Sequence, residues 1–199
     1  MSLPLALARI DQIERALVPQ PVATSTTSPV AGAGGTASPV PAPVATASFA
    51  QLLGNASGSP LTTIAAAELG QCEQPPGSND SPRIAQYRTA TAGSGVGPWC
   101  GYFVSWAARQ AGAPLGDHGE GFGSVDALYA WAQRAGRALP NGPGVVPRPG
   151  DLVVWDEHVG IVEQVLPDGR IQTLEGNSSD KVSRNMHEIS DPVGYVQMS

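Results

Sequence analysis

The sequence predicts an α+β domain in which helices come first and an antiparallel sheet follows. Apolar residues recur at helical spacing in several segments before residue 136. After Pro149-Gly150 the pattern changes to short runs rich in Val, Ile, Thr and aromatic residues. Pro167-Asp168-Gly169, between two of these runs, is a tight-turn signal that joins them as an antiparallel hairpin.

Each element has its own signal. Thr62 or Thr63 is a cap for a helix through Ala65-Ala66-Ala67-Glu68-Leu69 that ends at Gly70. Pro75–Asp80 reads as a turn, and Ser81-Pro82 opens a second helix through Tyr87. Pro98 sits just before Cys100, and Phe103, Trp106 and Ala107 then repeat at i, i+3 and i+4. That spacing predicts a helix with Cys100 and Pro98 at its first turn, ending at Gly112. Ser124 caps a helix carrying Val125, Leu128, Tyr129, Trp131 and Ala132, which stops at Gly136. The expected strands are Asp151–Trp155, His158–Val165, Arg170–Leu174 and Val193–Met198.

The 199 residues suffice for one domain with a real core plus an appendage. Residues 59–199 are expected to be that domain. Residues 1–18 read as a short amphipathic docking helix, too short to stand alone. Residues 19–58 read as a disordered linker rich in Pro, Ala, Thr and Ser, with an apolar patch at 48–53. From Ala16 to Ala67 no residue is charged. The formal net charge of −6 argues against nucleic acid and anionic membranes as partners. No run approaches the roughly 18 apolar residues of a transmembrane segment. The apolar start of the chain lacks the basic region of a secretory signal.

A helix start favours negative charge, because the dipole's positive end and free backbone N–H groups meet there. Cys100 is therefore well placed for a nucleophile, although alone it is better read as a buried core cysteine. What would change that reading is a base within reach and a group to orient it. Of three histidines, His118 lies in a Gly-rich loop that would hold an imidazole poorly, and His187 lies near the C-terminus among polar residues. His158 starts a strand, so the backbone sets its position, and Gly160 beside it leaves room for another chain or a substrate. A two-residue turn at Pro167-Asp168 would put His158 opposite Asn177, with Glu175 on the same face. A four-residue loop keeps these faces, whereas an odd loop reverses them. Both Glu175 and Asn177 suit the task of holding an imidazole N–H. Cys72 is the other cysteine; with Cys100 free, it is expected to be a small buried hydrophobe rather than half of a disulfide.

Pro98-Trp99-Cys100 opening a helix resembles the nucleophile segment of the CHAP amidase/peptidase family. The same holds for Gly150-Asp151-Leu152-Val153-Val154-Trp155 with His158-Val159-Gly160-Ile161-Val162, and for Leu174-Glu175-Gly176-Asn177. Glu68-Leu69-Gly70, with Glu73 and Pro76-Gly77-Ser78-Asn79, is similar to the lead-in of some members. The resemblance covers about residues 60–199. It implies a papain-like fold and cleavage of amide bonds in the peptide part of bacterial peptidoglycan, as an N-acetylmuramoyl-L-alanine amidase or an endopeptidase. It makes Cys100 the nucleophile, His158 the base and Glu175 the orienting acid, with Asn177 close by. Trp99 reads first as core and Asn79 as a turn-former, and both, with Gly160, are the candidate cleft residues. No Asp-rich loop like the calcium site of some members is present, so no metal or other cofactor is expected. No cationic wall-binding repeat follows. The alternatives are an acyltransferase or protein-directed peptidase on the same residues, and a non-catalytic wall-binding module.

The N-terminal helix, linker and apolar patch are similar to leaders of flagellum-associated wall hydrolases. That likeness implies a flagellar structural partner for the helix and delivery to the periplasm or wall without a cleaved signal. A phage tail or lysis protein, in the virion or host cytoplasm, is the rival setting.

Overall fold

The structure, a computed structural model, describes residues 58–198. The docking helix expected over 1–18 and the linker up to residue 57, with its apolar patch, lie outside the described residues.

Among the described residues four helices come first. Helix α1 (Pro60–Ala66) starts one turn earlier than the threonines suggest, because Ser59 caps it. The Ser59 hydroxyl accepts from the Thr62 N–H, and Pro60 takes the first position, where a missing N–H costs nothing. Thr62 and Thr63 instead bond back through their hydroxyls to the Ser59 carbonyl. Helix α2 (Pro82–Arg88) is capped by Ser81 and buries Ile84 and Tyr87. Helix α3 (Cys100–Gln110) has Trp99 as its N-cap, so Pro98 lies before the helix and not in its first turn. Helix α4 (Val125–Arg134) begins at Ser124, as expected, and buries Val125, Leu128, Trp131 and Ala132.

Six strands follow: β1 (Ala138–Pro140), β2 (Leu152–Val154), β3 (Val159–Val165), β4 (Arg170–Ser178), β5 (Lys181–Glu188) and β6 (Gly194–Val196). They form one antiparallel sheet in the order β1-β6-β2-β3-β4-β5. The fold is thus α+β, helices before an antiparallel sheet. Two strands differ from the expectation. β1 is a three-residue edge strand ending in a proline, and β5 carries a single buried residue, Val182, so neither shows an apolar alternation.

The sheet is covered on both faces. Toward the helices, Leu152, Val154, Val159, Ile161, Leu174 and Val196 pack with Leu61, Ile84, Tyr87, Phe103, Val104 and Leu128. On the other face Val153, Val162, Ile171 and Tyr195 form a smaller cluster beneath Trp155 and Val165. The helix face and β4 approach closely: a Cβ on Gly176 would stand 2.5 Å from Phe103 Cβ and 2.9 Å from the Trp99 ring. Only glycine lets the start of α3 sit against β4 there.

Cys72 corrects the sequence reading. It is free but exposed, because its neighbour Glu73 takes the inward position of the extended segment that bridges to Lys181.

Candidate active site

Cys100 is the first residue of α3 and is 4% exposed. No side chain caps this end, and the first N–H groups of a helix have no intrahelical acceptor. The helix start therefore presents bare donors beside the sulfur.

His158 stands immediately before β3. Trp155 N–H donates to its carbonyl at 2.9 Å, closing a tight turn through Asp156 and Glu157. Which carboxylate it meets is decided by the β3–β4 hairpin. The loop has three residues, Pro167-Asp168-Gly169: Leu166 N–H donates to the Arg170 carbonyl at 2.8 Å, and Gly169 has a φ of 87°. Such an odd loop alone would turn Glu175 and Asn177 to the wrong face. A bulge between Val162 and Gln164 supplies one more residue and restores the parity, so that Val162 pairs with Thr173 and Ile161 with Leu174. Carried on, this register sets Gly160 opposite Glu175 and His158 level with Asn177. A Cβ on Gly160 would lie 2.8 Å from Glu175 Cγ, so the space that this glycine leaves is filled by the Glu175 side chain.

Glu175 is 2% exposed, and all its known partners are donors. His158 Nε2 lies 2.9 Å from Oε2, while Thr173 Oγ1 donates to Oε1 at 2.5 Å and His187 Nε2 lies 2.7 Å from the same oxygen. An ionised carboxylate only accepts, so both imidazoles present an Nε2–H to it. That leaves Nδ1 of His158 for the cysteine sulfur, which acts on this ring to raise its pKa. Burial alone would pull the His158 imidazole down. Hydrogen bonds and charge from Cys100 and Glu175 outweigh it and raise the group to about 9. Burial likewise pushes Glu175 up, and the donors His158, Thr173 and His187 overcome this and hold it at about 2. At neutral pH the site thus holds an imidazolium against a carboxylate, beside the Cys100 sulfur.

Asn177 has a φ of 60°, and its amide turns away from this group: Nδ2 donates to Asn79 Oδ1 at 3.3 Å. Asn79 N–H in turn donates to Glu73 Oε2 at 2.8 Å, and the other Glu73 oxygen accepts from Trp99 Nε1 at 2.9 Å. Asn177 and Asn79 therefore join β4, through Glu73, to Trp99, the residue preceding Cys100. Trp99 is fully buried against Tyr87, so its indole has no face to offer a substrate. His118 lies in the exposed 116–121 loop, where its N–H donates to Glu120.

Three members of the site escape a reading of the sequence. Thr173 reaches Glu175 from two residues earlier on the same face of β4, and His187 reaches it because β5 pairs with β4, with Ile171 opposite His187. The usable signal is the two-residue turn Ser179-Asp180, whose φ values of 56° and 60° mark a hairpin closing onto β5. Glu73 is buried at 3% exposure, and only its partners Trp99 and Asn79 disclose why. Among the described residues no cluster of three or more His, Cys, Asp or Glu side chains is arranged to hold a metal ion.

Residues 91–177 match the family model described as the CHAP domain, a span that contains Cys100, His158, Glu175 and Asn177. No curated protein sequence matches the chain. Among solved structures, that of the peptidoglycan hydrolase RipB from Mycobacterium tuberculosis is similar with a TM-score of 0.42 and 18% identity. The likeness covers 70% of this chain and 63% of that one, less than two thirds of its length.

Proposed function

Residues 91–177 form a CHAP domain, and on that premise we propose that the protein is a cysteine-dependent hydrolase of peptidoglycan, cutting an amide bond in the peptide part of the bacterial wall. The observation that carries this reading is the buried Glu175 carboxylate, 2.9 Å from the imidazole that also meets Cys100.

The chemistry follows from the geometry. With Nε2–H given to Glu175, His158, as the imidazolium, holds on Nδ1 the proton drawn from Cys100, and the sulfur attacks the amide carbonyl carbon. The Cys100 backbone N–H, at the positive end of α3, stabilises the oxyanion of the tetrahedral intermediate. His158 then protonates the leaving amine, the C–N bond breaks and a thioester remains. Water, deprotonated by His158, attacks that carbonyl; the C–S bond breaks, releasing the carboxylic acid and restoring the Cys100–His158 pair. Glu175 keeps its charge throughout and compensates that of the imidazolium. Asn177 and Asn79 hold the 73–80 segment and the end of β4 together beside these groups.

The test is digestion of purified peptidoglycan by the wild type and by Cys100→Ala, with the fragments weighed by mass spectrometry. New amine and carboxyl ends with the wild type alone are the expected result, and their absence would overturn the hydrolase reading. Equal cleavage by Cys100→Ala would overturn the mechanism. The fragment masses also distinguish an amidase cut at the glycan–peptide junction from an endopeptidase cut within the peptide.

A further inference from the structure

Glu175 is held from two sides. Its Oε2 meets His158, while its Oε1 accepts from Thr173 Oγ1 and from His187 Nε2, the latter at 2.7 Å. A carboxylate on a flexible side chain orients an imidazole well only if its own second oxygen is fastened. Thr173 cannot do this alone, since its hydroxyl also lies 3.4 Å from the Asn185 carbonyl. His187 is itself fixed. It sits on β5 in register with Ile171, and its ring packs on Trp155 with centroids 4.7 Å apart. Trp155 also lies against His158, with centroids 5.7 Å apart, so one indole braces both imidazoles that grip the carboxylate. Among the described residues, the charged group that meets the His187 ring is Glu175 on β4. Its other neighbours, Thr173 on β4 and Trp155 in the β2–β3 turn, are neutral, as is Asn185 on its own strand.

We propose that His187 is a positioning residue for the Cys100–His158 pair, acting through Glu175 by donating Nε2–H to Oε1. This rests on the cysteine-hydrolase reading of the site and adds a residue to it. With His187 in place, Glu175 stays aimed at His158 Nε2, and the imidazole stays oriented with Nδ1 toward the sulfur. Without it, the carboxylate swings toward Thr173 and the imidazole loses its counter-ion.

The experiment measures alkylation of Cys100 by iodoacetamide from pH 5 to 10, in a Cys72→Ser background so that the exposed Cys72 is silent. It reads the thiol–imidazole pair with no peptidoglycan present, so a failure of the substrate assignment does not touch it. His187→Phe keeps an aromatic ring on Trp155 but removes the donor. Its alkylation at pH 7.5 is expected to fall roughly tenfold and to approach the parent's rate only toward pH 10. His187→Gln, which keeps a side-chain N–H donor, is expected to stay within roughly threefold of the parent. On peptidoglycan fragments the loss in His187→Phe falls on kcat, with KM little changed. A His187→Phe variant whose rate and pH profile equal the parent's would overturn the proposal. So would a His187→Gln variant as impaired as His187→Phe, which would make the ring's role packing alone.

Discussion

Glu175 concentrates the electrostatics of the site, and its replacement separates charge from shape. Glu175→Gln keeps the size and an acceptor oxygen but removes the anion that helps raise His158 to about 9. Activity on peptidoglycan is expected to fall by about two orders of magnitude in kcat, with its alkaline limb moving from about 9 toward the ordinary histidine range near 6.5. The same shifts act on stability. His158 is raised, so its contribution is fully present below about 6.5 and is lost as pH rises through about 9. Glu175 is depressed, so its contribution is present above about 4.5 and is lost as pH falls through about 2. Urea unfolding of Cys72→Ser, which leaves Cys100 in place, at stepped pH is expected to give a plateau between about 5 and 7 with a decline on each side. Glu175→Gln is expected to flatten both declines.

At the scale of the elements, the site depends on two glycines that let strands and helix close up. Gly160 makes room for Glu175 across β3 and β4, and Gly176 makes room for Phe103 and Trp99 between β4 and α3. Gly160→Ala would press on Glu175 Cγ, 2.8 Å away, on the side opposite the helices. The expected result is a loss of tenfold or more in kcat with a stability cost of about 1–2 kcal/mol, measured by urea titration. Gly176→Ala meets Phe103 at 2.5 Å within the main core. It is expected to cost more stability, about 2–3 kcal/mol, along with activity. The two variants thus differ in the ratio of lost activity to lost stability, and equal ratios would count against the placement of Glu175 over Gly160. The bulge belongs to the same scale. Glu163, the residue it adds, is gripped by Arg184 of β5 through Nε and Nη2 at 2.6 and 2.7 Å, which holds the kink that sets the parity of the hairpin.

Across the whole domain, one buried carboxylate ties together parts that are far apart in sequence. Glu73 joins the 73–80 segment to Trp99 at the head of α3, and Asn79 passes the connection on to Asn177 at the end of β4. Removing the acceptor leaves a buried indole N–H without a partner, which costs about 1–3 kcal/mol. Glu73→Ala is therefore expected to lower the thermal midpoint by several degrees and also to reduce alkylation of Cys100, since the residue before it is loosened. Glu73→Gln, which retains one acceptor oxygen, is expected to be milder. A Glu73→Ala protein with unchanged midpoint would show that Trp99 is held by packing alone.

Signals that act within a few residues were legible in the sequence. Ser81 and Ser124 start α2 and α4 as read from their side chains, Gly112 and Gly136 follow the ends of α3 and α4 with φ values of 76° and 66°, and the Val- and Ile-rich runs became β2, β3, β4 and β6. The helix start at Cys100 and the strand position of His158 were legible for the same reason, but the choice between Glu175 and Asn177 was left open by the residues and came from the resemblance to a family. The parity of the β3–β4 hairpin was not legible, because an odd loop and a bulge cancel, and the bulge answers to packing on both faces of the sheet and not to a turn residue. Nor were β5, with one buried residue, or the inward turn of Glu73 and the outward turn of Cys72. By itself the sequence determined where the helices and strands begin and which thiol, imidazole and carboxylate were available. Only the tertiary structure decided that the carboxylate serves two histidines, because cross-strand neighbours are chosen by register over the whole sheet.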